Sequence, residues 1–484
     1  MKQKKNYFRT LFVSLIAGFT LFVACDQISD PLSETPRGFS APETFYSNPA
    51  QVEAAFASSM NAIHRSWGGY GWAMRPFFHI TDSHHGEFNI TPNWASSLWG
   101  DHYRAIAQLN FAIKSINEGK LEGTSQDRLD ELMAQARFLR AHNYFQLVRM
   151  FGPLPLMTDT QPENYYSDLP ERSSIADVYD LIINDFTFAA DNLPVVWGGD
   201  RNGRPSSGAA RALLAKAYLT MATAPLNDES NYQHAANHAR QVIDSGQFQL
   251  VEDVNQVFSY ETEFGPEMMW SYVWNQEYPG THPQTWSHQD GWGDHSVDQE
   301  WLDRYPEQPR RYAYVEHYNF DGIHHQDTGH RAGLAKYRYG TEEEMRASQS
   351  YVNMSVIRYA DVLLIFAEAE NRVNGGPTPD AVDAMNQVID RANGYEENPE
   401  HPRVDTGISM QEFEERVIRE RDLELCFEYD RWYDIVRHRL YPEALREEYR
   451  ANFSPDNYLF PIPNQDLRQN ENLTQNPGYP HPLQ

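Results

Sequence analysis

Apolar residues at helical spacing recur along most of this chain, and they constrain its fold more than any other feature. The clearest case lies between residues 173 and 193, where Ile175, Val178, Ile182 and Phe186 form one stripe and Pro194 ends the pattern. Such a stripe predicts an amphipathic α-helix with one face toward a core. Similar patterns predict helices over residues 50–66, 99–116, 125–150, 207–223 and 234–245.

The predicted helices follow one another in pairs with short breaks between them. This order predicts a mainly α fold in which helical hairpins stack as in tetratricopeptide repeats, although no strict repeat period is present. Residues 250–350 are instead rich in Trp, Tyr, His, Gly and Pro, which predicts short strands and long, functional loops. Helices are predicted again over residues 359–374, 378–392 and 409–437, the last with a break near Tyr429-Asp430, before an irregular tail.

The first 24 residues have the pattern of an export signal. Three lysines and Arg9 precede an apolar run from Leu11 to Ala24, which is too short for a comfortable membrane span. The run ends in Leu21-Phe-Val-Ala-Cys25, which resembles a lipobox. We therefore expect a signal peptide over 1–24, a lipid on Cys25 with a tether over 25–45, and one domain over 46–484. Within that domain we expect helical repeats over 46–250, a loop-rich insertion over 251–350, and C-terminal helices with an irregular tail over 351–484.

The composition excludes several classes of function. The net charge is −28, and an acidic surface disfavours nucleic acid, which needs clustered Lys and Arg. No second apolar stretch is long enough to span a bilayer, so we expect membrane attachment through the lipid alone. The two cysteines, Cys25 and Cys426, cannot form a disulfide framework, and Cys426 is expected to be a buried structural thiol.

Several sequence blocks together resemble one family, the SusD/RagB-type nutrient-binding outer-membrane lipoproteins. These blocks are Ala136-Arg-Phe-Leu-Arg-Ala-His-Asn-Tyr-Phe-Gln-Leu-Val148, Gly152-Pro-Leu-Pro-Leu156, Arg358-Tyr-Ala-Asp-Val-Leu-Leu-Ile-Phe-Ala-Glu-Ala-Glu-Asn371, Ala384-Met-Asn-Gln-Val-Ile-Asp-Arg-Ala-Asn-Gly394, the Glu420–Arg437 run, Leu459-Phe-Pro-Ile-Pro463 and Gln475-Asn-Pro-Gly-Tyr479. The resemblance covers essentially the whole mature chain.

This resemblance implies a SusD-like α-α superhelix at the cell surface, anchored by lipid in the outer membrane. It also implies a partner, a SusC-like TonB-dependent β-barrel transporter, to which the protein would deliver oligosaccharides without catalysing a reaction. Some relatives capture peptides, so a RagB-type peptide-binding function is the alternative that stays open. A glycoside hydrolase is the remote alternative.

Tryptophan is concentrated in two windows, with four residues in 67–99 and five in 270–301. Indole rings stack on the C–H-rich faces of sugars, and nearby polar groups can bind the hydroxyls. Trp99 is expected in the core, whereas Trp270 is ambiguous. The expected ligand-binding residues, with the main stacking candidates first, are Trp94, Trp286 and Trp292, then Trp72, Asp82, His84 and Asn89.

Two acidic groupings invite other interpretations. Asp82-Ser-His-His-Gly-Glu87 has the composition of a metal cluster but lacks His-x-x-x-His spacing and a cysteine, so we expect a sugar-facing loop and no metal or cofactor. Glu420, Glu424 and Glu428 are spaced four apart, which places them on one helix face, and two such carboxylates could form the catalytic pair of a glycosidase. Because arginines lie beside them, we expect buried ion pairs and no catalytic residue.

Overall fold

We analysed a computed structural model of the protein. It describes residues 46–64, 80–82, 92–160, 169–274, 295–336, 353–428, 430–440 and 454–482. Cys25 and the rest of the predicted signal and tether lie outside these residues. None of the helices in the described ranges is long and apolar enough to cross a membrane.

Six long helices form the first half of the described chain, and each packs against the next. They are α1 (Pro49–His64), α2 (Pro92–Asn117), α3 (Gln126–Phe151), α4 (Ile175–Asn192), α5 (Ser207–Ala222) and α6 (Asn231–Asp244). The helix predicted from the apolar stripe, α4, begins with a capping box, in which the Ser174 side chain accepts from Asp177 N–H at 3.1 Å. The predicted stack of helical hairpins is confirmed.

Short strands follow, as the change in composition predicted, and short helices lie between them, which it did not predict. They are β2 (Met268–Tyr272), β3 (His295–Val297), α7 (Gln299–Asp303), α8 (Pro309–Tyr314), β4 (Val315–Glu316), α9 (His325–Thr328), β5 (Gly333–Leu334) and β6 (Met354–Arg358). Each strand belongs to an antiparallel pair: β2 with β6, β4 with β5, and β3 with the earlier β1 (Ile80–Asp82).

The remaining helices complete the core. They are α10 (Tyr359–Asn374), α11 (Pro379–Ala392), α12 (Met410–Glu424), α13 (Arg431–His438) and the short α14 (Asn464–Gln469). Helix α10 packs against α6, α11 and α12, so the first and last helical segments share one apolar core. Thr378 and Ser409 cap α11 and α12, because their side chains accept hydrogen bonds from the N–H groups of Ala381 and Glu412.

Buried ion pairs join the insertion to the C-terminal helices. Arg358, at the end of β6, contacts Glu267 just before β2 at 2.9 Å and Glu424 of α12 at 2.7 Å. Arg391 of α11 binds the same two carboxylates, each at 2.6 Å, and Arg310 of α8 contacts Glu424 at 2.7 Å. All five side chains are buried, so the network fixes how the loop-rich region sits on the helices.

The C-terminal tail is tied to the end of α3 by side-chain amides. The Gln475 amide bonds both the N–H and the C=O of Ile462, at 2.8 and 3.0 Å. Asn476 Nδ2 donates to the carbonyls of Phe151 and Phe460 at 3.0 and 2.7 Å. These contacts explain the blocks Leu459–Pro463 and Gln475–Tyr479 in physical terms, because the Asn476 amide satisfies the carbonyl of Phe151 at the end of α3.

Candidate functional site

The expected ligand-binding residues fall mostly outside the described ranges. Trp72, His84, Asn89, Trp286 and Trp292 lie in segments that the structure does not describe. For Asp82 and Trp94 the backbone is described and the side chain is not. The site must therefore be built from the backbone that flanks these residues.

A short antiparallel ladder connects the two tryptophan windows. Strand β1 lies in the first window and β3 in the second, and their register pairs Ile80 with Val297, Thr81 with Ser296 and Asp82 with His295. Asp82 immediately precedes residues 83–91, and His295 follows Trp292 by three positions. Two segments that are about 200 residues apart in sequence therefore meet at one edge, as a shared binding face requires.

Two local assignments from the sequence were wrong. Asp82 was expected in a loop but is the last residue of β1. Trp94 precedes the helix predicted over 99–116, but it lies in the first turn of α2, which begins at Pro92 rather than near Trp99. Proline suits the first helical turn because its missing N–H would have no helical partner there.

Three of the five tryptophans in the second window belong to the core. Trp270, Trp274 and Trp301 are buried, and Trp270 packs edge-on against Phe138 with ring centroids 4.8 Å apart. Trp301 Nε1 donates to Asp422 at 3.3 Å. Their enrichment therefore reflects packing, which resolves the ambiguity of Trp270. The expectation that Trp99 is core is confirmed, since it is buried against Phe151.

Two exposed tyrosines flank β4, which is linked to the β1–β3 ladder through β5. Val297 of β3 donates its N–H to Ala332 O at 2.8 Å, just before β5, and β5 pairs with β4. The chain around β4 carries Tyr312 and Tyr318, whose side chains are 53% and 52% exposed. Sequence reasoning missed both residues. The Tyr-rich run 312–318 was a possible signal, but Tyr314 in the same run is fully buried.

Of the three carboxylates expected on one helix face, Glu420 and Glu424 lie in α12, whereas Glu428 follows the end of that helix at Glu424. Glu424 contacts Arg310, Arg358 and Arg391 at 2.6–2.7 Å. Burial alone would raise its pKa, but these guanidinium groups hold the pKa well below its usual range. A general acid needs a carboxyl that keeps its proton near neutral pH, and Glu424 does not. The expected ion-pair role is confirmed for this residue.

A cleft beside β2 contains a carboxyl, that of Glu263, whose pKa is raised rather than lowered. The cleft has a volume of about 210 Å³ and is lined by Trp197, Phe264 and Glu263 among others. Burial raises the pKa of Glu263. Glu263 is the only acidic residue among the described residues that line the cleft, so these residues do not supply the carboxyl pair that glycoside hydrolysis needs.

Comparison with known proteins agrees with this architecture. The model of the SusD family matches residues 322–479, and a second model, described as starch-binding associating with outer membrane, matches residues 61–219. SusD-like protein P2 of Formosa agariphila is 28% identical over 538 residues, covering 99% of this chain and all of that protein. A SusD-like protein of Bacteroides ovatus is 24% identical and covers 86% of this chain and 80% of its own length.

Solved structures show the same fold. A SusD homolog from Bacteroides thetaiotaomicron superposes with a TM-score of 0.76 at 24% identity, covering 90% of this chain and 98% of the other. A laminarin-binding SusD-like protein gives a TM-score of 0.69 at 23% identity, covering 90% and 100%. The chain belongs to the SusD-like family.

Proposed function

We propose that this protein is a non-catalytic, glycan-binding lipoprotein of the outer-membrane surface. The observation that carries the proposal is the β1–β3 ladder, because it brings the two tryptophan windows to one edge. Two structural relatives add support, since one is named as laminarin-binding and another as surface glycan-binding protein A from Bacteroides uniformis.

Binding would combine aromatic stacking with a few polar contacts. We assign stacking to Trp72, Trp94, Trp286 and Trp292, because indole offers a large rigid apolar face at low cost in conformational entropy. Asp82, His84 and Asn89 would bind sugar hydroxyls. The acidic net charge of −28 favours neutral glycans over anionic ones.

We assign no catalytic step to the protein. Glu424 is ionised among three arginines, and the described residues of the cleft beside β2 offer one carboxyl where hydrolysis needs two. Turnover of a glycan panel that disappears in both Glu424→Gln and Glu428→Gln proteins would contradict this part of the proposal.

The anchor and the partner complete the proposal. A lipid on Cys25 would hold the domain in the outer membrane beside a SusC-like TonB-dependent transporter, to which it would deliver oligosaccharides. Tethering raises the effective concentration of a bound ligand at the transporter, so even weak binding would assist uptake. In the native host, a Cys25→Ser protein should be released from the membrane fraction and uptake of a labelled oligosaccharide should fall. Unchanged uptake would contradict the delivery role.

The binding proposal is tested by titrating the mature chain with a panel of neutral oligosaccharides. We expect Trp94→Ala and Trp286→Ala each to weaken binding at least about 10-fold, which corresponds to 1.4 kcal/mol. Trp197→Ala is the matched control, since Trp197 lies outside both windows and its indole N–H already bonds Pro205 O at 2.7 Å. Unchanged affinity in both variants would refute the residue assignment. Retention of peptides and of no glycan would favour the RagB-type alternative.

A further inference from the structure

Three histidine side chains meet just after β4. One ring nitrogen from each of His317, His324 and His325 lies within 4.8 Å of the others. These residues lie outside both tryptophan windows, and glycan stacking does not require them. We propose that His317, His324 and His325 form a zinc-binding site.

The backbone fixes the positions of the three rings. Tyr318 and His324 form an antiparallel bridge, and the chain reverses between them through a bond from Asn319 N–H to Ile323 O of 3.1 Å. His325 N–H then donates to His317 O at 2.9 Å. The site is therefore carried by one nine-residue turn whose ends are hydrogen-bonded, and a metal ion would not have to order it.

Two of the ring nitrogens are buried without a hydrogen bond. The side chains of His317 and His325 belong to residues that are 6% and 3% exposed. The Nε2 atom of each has no partner among the described residues. An unsatisfied buried polar atom is unfavourable, so two in one cluster point to a ligand that the described residues do not supply.

The hydrogen bonding around the cluster suits a metal ligand. His325 Nδ1 lies 3.3 Å from His317 O, so Nδ1 carries the proton and Nε2 is left with a free lone pair. The neighbouring charge of Arg311 is balanced by Glu307 at 2.9 Å.

A second candidate cluster shows what an unsuitable site looks like. Glu368, Glu414 and His438 also place three ligand atoms within 4.8 Å. There, however, Arg437 contacts both oxygens of Glu368, and its positive charge takes the place that a cation would need. No cation side chain is recorded in hydrogen-bond contact with the rings of His317, His324 or His325 in the described structure.

The ligand set favours zinc with one open position. Three imidazoles and no thiolate are typical of zinc sites in which water or a ligand oxygen takes the fourth place. Zinc–nitrogen bonds of about 2.0–2.1 Å would bring the nitrogens to about 3.4 Å from one another. His324 is partly exposed, and its Nδ1 only accepts a long 3.3 Å bond from Gln326 N–H, so its ring is free to close that gap.

The test is a zinc titration of the mature, chelator-stripped chain against a competing chromophoric chelator. We expect His324→Ala to lose one high-affinity equivalent or to bind it at least about 100-fold more weakly, since even outer-shell changes cost 10–100-fold. His330→Ala is the matched control, because His330 is exposed on the same segment and outside the cluster. Equal binding by the wild type and His324→Ala, no binding by the wild type, or an equal loss in His330→Ala would each overturn the proposal.

X-ray absorption on the zinc-loaded wild type gives a result that does not depend on any variant folding. Three imidazole shells around a four-coordinate ion are expected. An ion surrounded by oxygen alone, or by six ligands, would overturn the assignment. Glycan binding can fail without affecting either measurement, so the zinc site is tested independently of the proposed function.

Discussion

Glu420 provides a quantitative test of the buried ion pairs. Its carboxylate contacts Arg310 at 2.6 Å and His401 Nε2 at 2.6 Å, and it is almost completely buried. Burial alone would raise the pKa of Glu420, but Arg310 and His401 outweigh that effect and lower the pKa from 4.5 to about 2. A folded-state pKa below the unfolded one means that the ionised form stabilises the fold, by about 3 kcal/mol at pH 7.

Glu420→Gln keeps the shape and removes the charge, so it should lower the free energy of unfolding by about 3 kcal/mol at pH 7. The stabilisation is fully present above pH 4.5 and is lost as pH falls through 2. The difference between wild type and variant should therefore shrink to about 2 kcal/mol at pH 3.5. Urea unfolding at both pH values measures it.

A nearby exposed residue provides the control for this experiment. Glu415 lies on the same helix with its side chain exposed. Glu415→Gln should therefore change the free energy of unfolding by no more than about 0.5 kcal/mol at either pH. A difference between wild type and Glu420→Gln that stays constant with pH, or one no larger than that of Glu415→Gln, would refute the reasoning. Either result would mean that the ion pair does not outweigh the cost of burying the charge.

Two further variants test packing and the tail. Gly208→Ala should destabilise the fold by about 1–3 kcal/mol, because a Cβ there would lie 2.4 Å from Phe248 Cζ. Gly100→Ala is the control: a Cβ there would meet no atom within 4 Å, so this variant should stabilise the fold by up to about 1 kcal/mol. The midpoints of urea unfolding measure both effects, and equal effects would contradict the packing. Arg172→Ala removes hydrogen bonds to Pro153 O and Asn476 Oδ1, each 2.7 Å long, so amide hydrogen exchange in residues 454–482 should become faster. Arg403→Ala, at an exposed arginine, is the control. The same exchange rates in both variants would contradict this prediction.

Periodicity in the sequence predicted the helices well because their stripes are long and their caps are local. Helix α10 has the predicted bounds, and α4 differs by two residues at its start and one at its end. Composition predicted the site less well. Tryptophan content does not distinguish a core ring such as Trp270 from a surface ring, since both are surrounded by polar and aromatic residues in the sequence.

The features that the sequence did not predict depend on contacts between distant or reversed segments. The pairing of β1 with β3 joins residues more than 200 positions apart through three residues each, which is too short for a recognisable strand pattern. His317 and His324 lack the His-x-x-x-His spacing of helical zinc motifs, and they meet because the chain reverses at Asn319–Ile323. A search for helical or Cys-containing patterns could not find them.

The α12 carboxylates show why a scaffold can resemble an active site in a sequence. Glu residues four apart beside arginines satisfy both interpretations, and the difference lies in how many cations each carboxylate meets. Glu424 meets three guanidinium groups from α8, β6 and α11, which arrive from positions 310, 358 and 391. Such a carboxylate cannot take up a proton near neutral pH, and its partners hold three separate segments in one geometry.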